Sequence, residues 1–350
     1  MKPASLRPFL PRPAIRRRRI SSSRHYARQA PGAPILQVFN DNTKHLQRER
    51  AAADVESSRK VDYLRDEVAS RLCERLLDIK RHFPSVLDLG ANACNIGHAL
   101  TVPVPDSPPL STRLSHLTSA DSSPTLLHRD ASLPFNSLLP SHTRTTLGPP
   151  DQPLPFKLRS FNAVLSSLSL HWVNDLPGML SQINRVLKPD SPFLAAMLGG
   201  DSLFELRTSL QLADLALRGG VSTHVSPLAD VRDIGGLLTK AGFKMLTVDV
   251  DDIIVDYPNI FALMTDLQAM GESNAALTRE PGGLRRDVMA AAEAVYRELH
   301  AEGGETVPAT FRIIYMIGWT EGENQPKPLE RGTGQLNIKE ILEAPGEKKS

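Results

Sequence analysis

Cysteine is almost absent from this chain, whose 350 residues include only Cys73 and Cys94. Neither sits in a CxxC or paired-ligand spacing, so a disulfide framework and a structural zinc site both lack support. Aromatic residues are also scarce, at 5%. Long hydrophobic runs are missing: even Phe193 to Leu198 is followed at once by Gly199, Gly200 and Asp201. A membrane-spanning helix needs roughly 20 apolar residues, so the chain is expected to touch a membrane at most peripherally. What is present is a hydrophobic content of 41%, ordinary for one large domain or two small ones with a buried core.

Acid is lacking from one region only. Between Met1 and Ala30 there are nine Lys or Arg residues, and no Asp or Glu occurs before Asp41. The rest of the chain holds 32 basic against 39 acidic residues, a formal charge of −7 hidden beneath the overall +2. A body of that sign argues against binding to nucleic acid, whose phosphates call for a basic face. The Arg-rich start, with Ser21, Ser22 and Ser23, has the composition of a mitochondrial transit peptide over residues 1–30, directing the protein to the matrix. Arg24, His25, Tyr26 and Ala27 resemble a presequence-processing site, which places the mature start near Ala27. A basic arm or a nuclear signal at Arg16 to Arg19 is the alternative, and Pro3, Pro8, Pro11 and Pro13 weaken any amphipathic helix there.

Residues 31–82 read as a helical lead-in. Val61, Leu64, Val68, Leu72, Leu76 and Leu77 recur at helical spacing within one helix expected over Asp54 to Arg81. Short apolar runs at Ser85 to Leu89, Phe161 to Leu170 and Phe193 to Leu198 read as buried strands, with a helix from Leu176 to Leu187 between the last two. That alternation predicts an α/β fold with a doubly wound, mostly parallel sheet over residues 83–320. Further helices are expected at Leu203 to Leu217, Leu228 to Ala241, Ile260 to Met270 and Leu284 to His300. Strands are expected at Lys244 to Val250, Ile253 to Tyr257 and Thr310 to Trp319. Residues 102–153, rich in Pro, Ser and Thr, read as an insertion, flexible loop or non-native segment, and 321–350 as a loose polar tail.

Val86, Leu87, Asp88, Leu89 and Gly90, followed by Ala91 to Gly97, match the first motif of class I methyltransferases: a strand ending in an acid and a glycine-rich turn. Backbone without side chains lets a charged ligand approach the loop and the next helix N-terminus. An ordinary strand-to-helix turn is the alternative reading. Asn92 and Cys94 stand where the family has its second and third glycines, which puts the loop's geometry in question at Cys94, with Gly97 as a source of extra room. Asp121 is the candidate acid for ribose hydroxyls. Leu154, Pro155 and Phe156 resemble the adenine-side loop, and Asn162 replaces a usual aspartate.

From Leu165 onward the likeness becomes specific. Ser166 to Pro177, with His171 and Trp172 at its centre, resembles the methyltransferase-like assembly factors of mitochondrial complex I. So do Gly199, Gly200 and Asp201 leading to Glu205, Leu206 and Arg207, then Gln268 to Asn274, and Val307 to Thr310 before Ile314 to Trp319. The resemblance covers about Ile35 to Thr320 and implies a seven-stranded class I methyltransferase sheet. It also implies S-adenosylmethionine as cofactor, held by Asp88, Gly90, Asn92, Asp121, Ser166 and Trp172. The implied activity is hydroxylation of an arginine on an iron–sulfur subunit of complex I.

His171 and Trp172 end a strand at the edge where doubly wound sheets place ligands, and Trp can stack on a planar group or cover a sulfonium. Asp201 and Glu205, one helical turn apart, are candidates to receive a protein's arginine, or else they complement a helix dipole. His128, Arg129 and Asp130 have the spacing of part of a facial triad but fall in the Pro-rich stretch, so no metal is expected there. Methyl transfer to a protein or small carboxylate, and a catalytically silent assembly chaperone, remain as alternatives. Putting Val at Gly90 is expected to abolish cofactor binding while sparing the fold. Protein recovered from mitochondria is expected to begin near Ala27 on N-terminal sequencing, and full-length protein retaining Met1 in the cytosol or nucleus would contradict the targeting assignment.

Overall fold

The computed structural model describes residues 37–103, 108–149, 152–280, 282–301, 303–323 and 325. The expected transit segment, 1–30, and nearly all of the expected tail, 321–350, lie outside the described residues. Seven strands among the described residues form one sheet. They are β1 (Phe83–Leu89), β2 (Leu114–Asp121), β3 (His142–Thr146), β4 (Ala163–Ser167), β5 (Pro192–Leu198), β6 (Lys244–Tyr257) and β7 (Val307–Trp319), in spatial order β3-β2-β1-β4-β5-β7-β6. β1 to β5 pair in parallel, and β7 runs antiparallel to β5 and β6. The doubly wound, mostly parallel sheet expected from the sequence is therefore present.

The short apolar runs form central strands because both faces of the sheet are covered. Val86, Ala163, Leu165, Leu194 and Ala196 enter one hydrophobic cluster. Their neighbours Leu87, Val164, Phe193, Ala195 and Met197 enter the other. Strand side chains alternate in direction, so a strand buried on both sides must be apolar at every position. The first cluster packs under α3 (Tyr63–Leu77), α4 (Asn95–Thr101), α7 (Phe204–Arg218), α9 (Ile260–Ala269) and α10 (Arg286–His300). The second packs under α6 (Leu176–Val186) and α8 (Val231–Lys240).

Three expectations need correction. The single helix over Asp54 to Arg81 is two, α2 (Val55–Lys60) and α3, because Asp62 at the break is buried in ion pairs with Arg65 and Arg129. A further helix, α1 (Asp41–Ala53), precedes them, capped by Asn40, whose side chain accepts from the Thr43 amide. Residues 102–153 are not an insertion, since β2 and β3 of the sheet lie within them together with a short helix, α5 (Pro124–His128). Proline there punctuates the connections and spares the strands. The two strands expected around Asp251 and Asp252 are one edge strand, β6, whose acids point outward to Arg71 and Arg312. Outward charge on an edge strand also discourages pairing with another sheet.

β1 delivers the chain into a tight turn at Gly90, which has φ +72°. A β-carbon built there would fall 2.0 Å from the Ser169 hydroxyl oxygen, so the space is filled by the turn after β4. Substitution at Gly90 consequently disturbs the packing of two loops and is not the clean binding mutation that the sequence suggested. Gly90→Ala is expected to destabilise the protein by about 2–4 kcal/mol, through left-handed strain plus this collision. Adding Ser169→Gly should recover the steric part and leave about 1–2 kcal/mol of backbone strain. Urea denaturation of the two single variants and the double variant checks both values.

Candidate functional site

The carboxyl ends of β1, β2 and β4 meet at one edge of the sheet, where an open doubly wound sheet places its ligand. α1 crosses this edge. Its approach is fixed by Asn174, whose side-chain oxygen accepts from the Val38 and Phe39 amides at 2.9 and 2.8 Å. The Asn174 side-chain nitrogen donates to the Phe39 carbonyl and the Asp41 carboxylate at 3.0 and 2.9 Å. On the far side Gln47 donates to the Asn274 carbonyl at 3.1 Å. A cavity of about 460 Å³ lies beneath, lined by Lys44, His45, Arg48, Ser169, Trp172 and Glu272 among others. A smaller space of about 90 Å³, bordered by Gly90, Leu147, Leu154, Pro155 and Met179, extends it along the expected adenine-side loop.

The turn after β1 adopts left-handed backbone at both departures from the glycine pattern, Asn92 at φ +52° and Cys94 at φ +65°. Asn92 is held there by its side chain, which donates to the Gly90 and Ser167 carbonyls at 3.1 Å each. Cys94 is fully buried immediately before α4, and burial pushes its thiol up to about 11. That burial offsets the roughly 1–2 kcal/mol that a non-glycine residue loses in left-handed backbone. Gly97 does not open the loop: it lies within α4 against the core, where a β-carbon would make ordinary contacts with Leu117 and Leu139 at 3.5 and 3.6 Å.

Asp88 is fully buried on β1, and neither carboxylate oxygen has a hydrogen-bond partner among the described residues. Its register neighbour Ser119 turns its hydroxyl to His142 instead, at 2.9 Å. Burial, reinforced by the charge of Asp121, pushes the Asp88 carboxyl well above the usual range. The Ser166 and Ser167 hydroxyls on β4 are likewise buried without partners. An unpartnered buried polar group is costly, so each is a candidate contact; Asp88 and Ser167 lie on the face of the sheet under α3 and α4, and Ser166 on the face under α6 and α8.

Asp121, at the end of β2, is engaged by the chain itself. One oxygen accepts from the Arg48 guanidinium and the Asn92 amide at 2.9 Å each, and the other accepts from the Ser123 amide at 2.8 Å. Arg48 also donates to the Asn92 side-chain oxygen at 2.9 Å and to the Ser122 hydroxyl at 3.1 Å. Burial acts to lower the Arg48 pKa, but Asp121 outweighs it and holds the guanidinium above its ordinary value.

His171 and Trp172 lie in the 3-10 turn Leu170–Trp172. Both reach Glu272, the indole nitrogen at 2.6 Å and the imidazole Nε2 at 3.3 Å. One face of the indole is covered by the Lys44 ammonium, 3.1 Å from the ring centroid, and Phe39 packs edge-on at 5.1 Å. Lys44 donates to the Gly271 and Ser273 carbonyls at 2.8 and 3.2 Å. Burial lowers its pKa to about 7, with Arg48 and Arg65 adding to the effect and Glu272 opposing it. Burial alone would raise the Glu272 carboxyl, yet Lys44, His171 and Arg65 hold it well below the carboxylate range. Burial lowers the His171 imidazole despite its bond to Glu272.

The pairing expected of Asp201 and Glu205 does not form. Leu203 is left-handed at φ +55°, so α7 begins only at Phe204 and Asp201 stands in the turn before it. Asp201 is exposed and ion-paired with Arg312. Glu205 is buried, accepting from the Thr310 hydroxyl and, at 3.3 Å, from its amide. Both acids anchor β7 to the turn, and Arg207 closes it by donating to the Gly200 and Ser202 carbonyls. Asp130 is consumed by Arg59 and Arg129, and no group of three or more metal-ligating side chains occurs among the described residues.

A methyltransferase-domain family matches residues 106–195. A zebrafish (Danio rerio) protein named mitochondrial arginine-hydroxylase NDUFAF5 is 44% identical over 306 residues, covering 87% of this chain and 90% of that protein. The human protein of that name is also 44% identical, over 320 residues, with 89% and 87% covered. The chain belongs to the NDUFAF5 arginine-hydroxylase family. A malonyl-[acyl-carrier protein] O-methyltransferase from Laribacter hongkongensis is more distant, 32% identical over 289 residues, with 81% and 91% covered. The family's Gln268 to Asn274 segment supplies Glu272, which sequence reasoning had matched without giving it a role. Lys44 and Arg48 were missed altogether, since only their spacing of four on one helix was visible in the sequence.

Lys44 generates a pH prediction. Its folded pKa of about 7 lies below the ordinary 10.5, so the unfolded chain binds the extra proton between those values. Its contribution to stability is therefore lowest below about pH 7 and rises with pH through that window, by at most about 1.4 kcal/mol per unit. Glu272, His171, Arg48 and Arg65 face it and set the balance. Relative to Lys44→Met, the protein is expected to gain stability between about pH 7 and about pH 9 in urea titrations. A pH-independent difference would show that Lys44 keeps its charge.

Proposed function

We propose that this protein acts in mitochondria as an S-adenosylmethionine-binding member of its family, and that it serves assembly of respiratory complex I by hydroxylating an arginine of an iron–sulfur subunit. The reading is carried by the likeness to proteins named mitochondrial arginine-hydroxylase over nearly the whole chain. It is supported by a sheet edge with unpartnered polar groups and a cavity of about 460 Å³.

The residues suit such a cofactor. Bound S-adenosylmethionine carries a sulfonium, an ammonium, a carboxylate and a ribose. Asp88 and Ser166 end adjacent strands beside this space as buried polar groups without hydrogen-bond partners among the described residues. Gly90 and Asn92 present backbone at the turn, and Asp121 is the acid for the ribose hydroxyls once Arg48 gives way. Trp172 lines the cavity beneath α1 and offers the cofactor aromatic surface there. α1 and the loop carrying Glu272 both contribute walls to that space.

Mass spectrometry of complex I iron–sulfur subunits from cells lacking the protein decides among the readings. A mark of about +16 daltons on an arginine that disappears with the protein, with loss of assembled complex I, is the expected result. A lost mark of about +14 daltons would assign methylation instead. Unmodified subunits with failed assembly would make the protein a silent chaperone, and normal complex I would remove the assignment.

A further inference from the structure

We infer that the Trp172 ring face, the Glu272 carboxylate and the Gly271 and Ser273 carbonyls form the seat of the substrate's guanidinium, with Lys44 of α1 as its resident stand-in. This rests on the proposed arginine-modifying function and assigns the place where that arginine is held. Each wall of the seat attracts cations: an indole face, two backbone carbonyls and, beside them, the mostly buried Glu272 carboxylate. The indole edge and the His171 imidazole both donate to Glu272, which fixes the ring's plane and the carboxylate's position before any ligand arrives. Lys44, Trp172 and Glu272 all line the cavity of about 460 Å³, so the seat opens onto the space beneath α1.

The occupant comes from a different element than the walls. Trp172 belongs to the turn after β4 and Glu272 to the loop after α9, whereas Lys44 is carried by the helix that crosses above them. A lysine side chain can swing out of the seat on its flexible stem without moving those walls. Its ammonium is compact and strongly hydrated, so burial is costly, in line with its lowered pKa. A guanidinium stays charged, is more weakly hydrated, stacks flat on an indole and meets a carboxylate with a planar fork of donors. The seat therefore favours arginine over its own lysine, and the intramolecular lysine holds it while no substrate is present. Arg65, 3.7 Å from Glu272, stays behind as the fixed counter-charge.

The test uses the mature chain with Nα-acetyl-arginine amide as probe and Nα-acetyl-citrulline amide as its uncharged counterpart. Binding is read by calorimetry and by the Trp172 indole NH resonance. Lys44→Ala frees the seat, so arginine amide should bind roughly tenfold or more tightly than to the unmodified protein, because a competing state has been removed. Lys44→Gln serves if the alanine variant does not fold. Lys44→Arg should remain closed, citrulline amide should not bind, and Glu272→Gln in the Lys44→Ala background should abolish the gain. Equal binding of arginine and citrulline amides, or no gain in the Lys44→Ala or Lys44→Gln variant, would overturn the seat. An arginine mark that persists in cells lacking the protein, beside tight binding by Lys44→Ala, would instead overturn the proposed function and leave the seat standing.

Discussion

The buried carboxylate of Asp121 ties together three parts of the chain that stand far apart in sequence. It closes β2, holds the turn after β1 through the Asn92 amide, and draws α1 across the sheet edge through Arg48. An ion pair this deep is held by hydrogen bonds on both partners, because either charge left alone would carry the full desolvation cost. That tie acts with the Asn174 contacts to place α1. Together they set Lys44 over Trp172 and close the cavity from above, while Asp88 stays a buried acid without a hydrogen-bond partner among the described residues.

The same constraint explains the arrangement of charge around the site. Cations come from the lead-in helices, as Lys44, Arg48 and Arg65, and anions come from the strand ends and the loop after α9, as Asp121 and Glu272. Asp121 and Glu272 are thereby neutralised by cations of the chain itself, Asp121 by Arg48 and Glu272 by Arg65 with Lys44 nearby. Ligand entry must then exchange one set of contacts for another, which makes affinity the difference between two well-satisfied states. The outer acids have a separate task. Asp201 and Glu205 pin β7 and the turn before α7, and their proximity in sequence reflects packing of that turn.

Legibility varied with how far apart the interacting residues stand. β1, β4, β5 and the helices from α6 onward were readable because a strand buried on both faces must be apolar throughout and a half-buried helix must repeat every three to four residues. β2 and β3 were hidden among prolines that turned out to bound them. The break between α2 and α3 was invisible because it depends on Asp62 meeting Arg129, far along the chain. Asp88, Gly90, Asp121 and Trp172 were singled out through a local motif and a specific resemblance, and the fold gathers them at the ends of β1, β2 and β4. Glu272 was matched without a role, and Arg48 and Lys44 were not found at all.

The sequence by itself determined the layered α/β architecture, the acid-and-glycine turn after β1, the acid ending β2 and the kinship of the segment around His171 and Trp172. These depend on short-range patterns of burial and backbone freedom. Only the tertiary structure decided what faces what: that Arg48 occupies Asp121, that Lys44 lies on Trp172 beside Glu272, that Ser169 fills the space at Gly90, and that Asp201 and Glu205 part company. The physical reason is that electrostatic and steric partners here are separated by tens to hundreds of residues. Their meeting is set by how the helices pack on the sheet, which no local pattern records.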